Sequence, residues 1–111
     1  MTVSVKVLVP AQTANNTQST VYTATGVTAI IDKFTATNYS ASAATISVNL
    51  VNPSGSAGND NLIVKTKTLQ ASETYTFPEL VGHALAPGGF ISTIAGTASA
   101  INIRVSGREV T

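Results

Sequence analysis

The chain has 111 residues, enough for one domain with its own apolar core, and no cysteine, which excludes disulfide cross-links, thiolate metal sites and cysteine nucleophiles. Charged residues make up 10 % of it and the formal net charge is +1, so the basic footprint of a nucleic-acid binder is missing. Apolar residues make up 43 %, too many for a disordered chain and too dispersed for a membrane span, which leaves a globular class with a largely neutral surface of Thr, Ser, Asn and Ala.

In chain order, Val3, Val5, Val7 and Val9 alternate with Thr2, Ser4, Lys6 and Leu8, the period of a half-buried strand, and Pro10 is read as its end. Residues 11–19 are polar without periodicity and read as a loop or mobile arm. Two β-rich segments, Ser19 to Ala24 and Val27 to Asn38, flank a turn at Thr25-Gly26, and the adjacent Ile30 and Ile31 point to burial on both faces. Thr45 to Val51 alternates, with Ile46, Val48 and Leu50 on one face and Ser47 and Asn49 on the other.

Residues 52–60 are nearly all turn formers and read as the longest exposed loop. Leu62-Ile63-Val64 opens a strand whose outward Lys65 and Lys67 would protect an edge from stray pairing. Glu73 to Phe77 reads as a short strand with Tyr75 and Phe77 on one side, Tyr75 being assigned to the core. Pro78 to Leu85 fits at most one helical turn, because Gly82 keeps it short. Phe90 to Ala95 and Ala100 to Val110 read as a closing hairpin around Gly96-Thr97, with Ile101, Ile103 and Val105 facing in and Asn102 and Arg104 facing out.

About eight short antiparallel strands without a useful helix indicate one all-β domain over residues 1–111, a β-sandwich or compact barrel. A jelly-roll-like sandwich is preferred over an immunoglobulin-like one, whose Cys and Trp hallmarks are absent.

No reactive constellation emerges. His83 is the only histidine, and no Gly-x-Ser-x-Gly elbow accompanies it; Gly55-Ser-Ala-Gly58 misses the spacing. Asp32, Asp60, Glu73, Glu79 and Glu109 are scattered, and Gly58-Asn-Asp-Asn61 lacks the acidic spacing of a calcium loop. Asn15-Asn-Thr17 and Asn38-Tyr-Ser40 match the glycosylation pattern, which chance supplies readily in a chain rich in Ser and Thr. The six basic residues do not cluster, and Tyr22, Tyr39 and Tyr75 are the only Tyr or Trp side chains that could stack on a sugar. Catalytic groups, cofactors, metals, nucleic acid and a membrane are therefore not expected. The segment Ser106 to Thr111 sets a flexible Gly beside opposite charges, read either as an intermolecular ion pair or as a solvated terminus.

The strings Thr20-Val-Tyr-Thr-Ala24, Thr28-Ala-Ile-Ile-Asp-Lys-Phe34, Pro78-Glu-Leu-Val-Gly-His83 and Ser106-Gly-Arg-Glu109 give the chain a further character. In them, and in length and organisation, it resembles small structural proteins of tailed bacteriophages, in particular the capsid decoration or stapling proteins of epsilon15-like phages. The resemblance implies a jelly-roll-like cement protein on the outside of the head that clamps neighbouring major capsid proteins, as a homodimer or other homo-oligomer. Synthesis in the host cytoplasm is expected, since the segment Met1 to Pro10, interrupted by Ser4 and Lys6, makes a poor signal peptide.

The bridging elements expected for that role are segment 11–19, with Asn15, Asn16 and Thr17, and loop 52–60, with Asn59 and Asp60, joined by Arg104, Arg108 and Glu109. The alternatives are a tail, collar or head-fibre component and a carbohydrate-binding attachment module using Tyr22 or Tyr39.

Overall fold

The structure, a computed structural model, describes residues 1–111. Nine strands follow one another: β1 Val3–Thr13, β2 Ser19–Thr23, β3 Thr28–Asn38, β4 Ala44–Val51, β5 Leu62–Leu69, β6 Thr74–Thr76, β7 Ala84–Leu85, β8 Phe90–Ala95 and β9 Ile101–Val110. Every pairing is antiparallel. One sheet runs β1-β9-β3-β6, with β7 on the same edge of β3 as β6, and the other runs β2-β8-β4-β5. The strands β1 to β4 thus alternate between sheets, and β4 and β5 are the only chain neighbours that pair. This winding is that of a jelly roll, and the all-β sandwich expected from the alternation is the fold.

The two inner faces meet in a dry core. Phe34 and Ile31 of β3 and Ile101, Ile103 and Val105 of β9 pack on Ile46 and Val48 of β4 and Ile91 of β8. Phe77 and Leu80 close one end of the core, the Phe77 ring standing edge-on to Phe34 at 5.1 Å and to Tyr75 at 4.8 Å between centroids. Tyr75, assigned to the core, is only half buried; the Lys67 ammonium lies 4.4 Å from its ring centroid, bridging the gap between edge strands β5 and β6. Lys65 and Lys67 lie on an edge strand, where they can discourage stray pairing.

Several expectations are corrected. Pro10 does not end β1, which continues to Thr13, so residues 11–13 are strand and Ala14 is buried rather than part of a mobile arm. Pro is tolerated there because β1 is an edge strand and its ladder to β9 is irregular between Val9 and Gln12, where a missing N–H removes no regular ladder bond. The segment Pro78 to Leu85 forms turns and the short β7 rather than a helical turn. The only helical turn is the 3-10 turn Asn59–Asn61.

The closing hairpin does not form either. β8 pairs with β2 and β4, whereas β9 lies in the other sheet between β1 and β3. Ser47 and Asn49 do face away from the core, yet both are buried: Thr66 N of β5 donates to Ser47 Oγ at 2.8 Å, and residues 56–61 fold back over Asn49, whose Nδ2 donates to Gly58 O at 3.0 Å and to Asn61 Oδ1 at 2.7 Å. Asn38, matched to a glycosylation pattern, is fully buried and spends its amide on Ser42 O and Leu69 O, so it is no acceptor for a glycan.

Candidate protein interface

The first strand departs most from its reading. Val9 is buried, but Val3, Val5 and Val7 are 52 %, 84 % and 45 % exposed. The cause is a β-bulge. Val7 stands opposite Ser106 and Val9 opposite Val105, so Leu8 is an extra residue; it turns inward together with Val9, and the three valines before it fall on the outer face. β3 carries a matching irregularity between Ile31 and Lys33. Gly107 sits opposite Lys6 and Ile31, between the two bulges, where a Cβ would collide with the Ile30 carbonyl oxygen and come within 2.8 Å of Leu8 Cδ1.

The valines therefore form an apolar row along an open sheet edge, with Val110, Arg108 and Ser106 of β9 as their cross-strand partners. Thr2 and Thr111 exchange backbone hydrogen bonds at 3.0 and 3.1 Å beside it, which ties the outer end of β1 down. A bidentate ion pair fixes the inboard border: Arg108 Nε and Nη2 donate to the Asp32 carboxylate at 2.8 to 3.1 Å, which raises the guanidinium pKa through that hydrogen bond and the adjacent charge. Behind the row, on the inner side, Glu109 accepts from Tyr22 at 2.5 Å and from Lys6 at 3.1 Å. These contacts, the Tyr22 hydrogen bond foremost, hold the Glu109 carboxyl below its ordinary value, while desolvation and then the same hydrogen bond push the Tyr22 phenol up.

The residues singled out in the sequence do not form one patch. Asn15, Asn16 and Thr17 are exposed in the turn before β2, held by Ala95 N donating to Asn15 O at 2.8 Å and Asn15 Nδ2 donating to Ser19 Oγ at 3.1 Å. Asn59 and Asp60 are exposed in the 3-10 turn over the other sheet. The two segments are linked through Asn49, which accepts from Gln18 at 3.3 Å and donates to Gly58 O. Arg108 and Glu109 are engaged within the molecule, and of the three β9 residues only Arg104 is exposed without an ion pair.

Val3, Val5 and Val7 were assigned to the wrong face. The signal that could have placed them was the unbroken run Val7-Leu8-Val9, which interrupts strict alternation where the bulge falls. Tyr22 is half buried and bonded to Glu109, and Tyr39 is 50 % exposed with its hydroxyl 3.2 Å from Thr13 Oγ1. No three His, Cys, Asp or Glu side chains lie close enough together to hold a metal ion. His83 is exposed and pairs only through its backbone, its carbonyl accepting from Ile31 N.

The chain matches no protein-family model, no curated protein and no solved structure. A row of three valines on an open strand, rimmed by a fixed ion pair, has the apolar centre and polar border of a contact surface between proteins.

Proposed function

We propose that this protein is a structural component of a tailed-phage head, applied to the outside of the shell, where it staples neighbouring major capsid proteins through protein–protein contacts. The observation that carries the reading is the exposed row Val3, Val5 and Val7 on the unpaired edge of β1, an apolar surface that water disfavours and a protein partner would cover. The resemblance of four strings along the chain to phage decoration proteins supplies the class of partner.

A cement role requires contact area and repetition rather than reactive groups, since many copies on a symmetric lattice turn modest affinity into avidity. An open edge strand also suits self-association about a two-fold axis, where the unpaired backbone of β1 in two copies would pair and set the two valine rows side by side on one continuous outer face, so the stapling unit is read as a homodimer.

The test is to add the purified chain to isolated capsid shells that lack it and to measure stoichiometry and shell melting together. Saturable binding at one copy or more per capsid subunit cluster, with a raised melting temperature, is the expected result. Binding without stabilisation would indicate display rather than stapling, and a dozen or fewer sites per particle would move the protein to the tail or collar. No binding at all would end the capsid reading.

A further inference from the structure

The outer face of the second sheet carries a cleft of about 190 Å³, walled by β4, β5, β8 and residues 57–59. At about 30 Å³ per water it holds the volume of roughly six waters, and it is smaller than the roughly 300 Å³ at which drug-sized pockets begin. One sugar ring fits those limits better than an extended chain.

The lining is built and not merely left over. β5 bulges here: Ile46 stands opposite Lys67 and Val48 opposite Val64, so Lys65 and Thr66 together face Ser47. Thr66 adopts φ +46°, a left-handed conformation that a β-branched residue rarely takes, and its N–H is turned onto Ser47 Oγ at 2.8 Å. Gln18 is locked from behind, donating to Asn49 Oδ1 at 3.3 Å and to Ser92 Oγ at 2.7 Å, both on buried residues, which leaves its carbonyl oxygen free.

The unengaged groups are mostly donors. Lys65 has no carboxylate partner, and the Asn59 side chain forms no hydrogen bond within the molecule. Ser47 Oγ accepts from Thr66 while its own proton has no acceptor. Leu62 and Ile94 supply an aliphatic wall. Each hydroxyl of a neutral sugar both donates and accepts, whereas a carboxylate accepts only and adds a charge to match Lys65.

We propose that this cleft binds a single acidic monosaccharide unit of the uronic acid type, its carboxylate on Lys65 and Ser47, its hydroxyls on Gln18 and Asn59, and its ring against Leu62 and Ile94. The site is on the opposite sheet from the valine row and does not depend on the capsid reading.

Heteronuclear NMR of the intact chain tests it, with methyl galacturonate, the neutral methyl galactoside and a short glutamate-containing peptide as probes. Binding of the uronate in about the millimolar range is expected, with shifts centred on residues 47, 59 and 65–66, and at least about tenfold weaker binding of the neutral glycoside. Lys65→Gln should remove that preference while melting stays unchanged, and Asn59→Ala should weaken both sugars. Equal binding of the two glycosides, tighter binding of the peptide, or no uronate shifts at roughly ten times that concentration overturns the proposal.

Discussion

Tyr22 of β2 donates its phenolic proton to Glu109 of β9 across 2.5 Å, so the two sheets are joined at their open side by a side-chain hydrogen bond. Lys6 of β1 holds the same carboxylate at 3.1 Å, which makes Glu109 the meeting point of three strands. Tyr22→Phe is expected to cost about 1 to 2 kcal/mol in urea unfolding, the range of a partly solvated hydrogen bond to a charged group.

Acid should act at the same place. The Glu109 carboxyl lies below its ordinary value of 4.5 in the folded chain, so the unfolded state takes up the proton first. Its contribution is complete above that ordinary value and is lost as pH falls through the lower folded one. A melting curve should hold steady from pH 7 to about 5 and then decline, and Tyr22→Phe should flatten the decline; an unchanged acid limb in that variant would remove Glu109 as its source.

Val5 is 84 % exposed, so Val5→Glu should change the unfolding free energy by no more than about 0.5 kcal/mol. Binding to capsid shells should nonetheless weaken by at least about tenfold, since a charge would be buried at the centre of the contact. Urea unfolding of the variant reads the first effect, and its sedimentation with shells reads the second.

Gly107→Ala should destabilise by more than about 3 kcal/mol, because the new methyl meets the Ile30 carbonyl and Leu8 at the point where two bulges face each other. Relief would require moving the β3 backbone at Ile30, since Leu8 presents only a movable methyl. If the variant does remain folded, proteolysis and hydrogen exchange should find the β3–β9 ladder loosened around residue 107.

Asn38 engages both ends of its amide: Nδ2 donates to Ser42 O and Leu69 O, and Oδ1 accepts from Ser40 N and Oγ. Asn38→Ala leaves these groups unpaired and should cost about 2 to 3 kcal/mol. The reverse case is Thr93, whose fully buried Oγ1 has no partner; Thr93→Val keeps the shape and should raise stability by about 1 kcal/mol in the same urea titration.

Alternation reads faces well and partners poorly. Ile101, Ile103 and Val105 face the core as their spacing indicates, and Gly26, at φ +69°, makes the turn that its position requires. Strand β8 offers the same kind of pattern whether it pairs with β9 or with β2 and β4, so the hairpin that seemed natural from proximity was lost to the winding of the jelly roll. At β1 one extra residue inverted the face of everything before it, which hid the valine row. The loop at 52–60 was legible from its turn formers, but its folding back onto Asn49 depends on the bond from Asn49 to Asn61, which no local pattern announces. The burial of Asn38 is non-local in the same way: the three-residue pattern around it is a chance match, and its partner Leu69 is 31 residues away.

The position of β9 between β1 and β3 has a kinetic consequence. β1 has no other partner in its sheet and cannot join it until residues 101–110 arrive, and Val3 must find Val110 across nearly the whole chain. Such closure makes for slow, late assembly. Until it happens, β1 waits with both edges unpaired and its valines in water, so the moment of greatest aggregation risk falls before the ninth strand is placed.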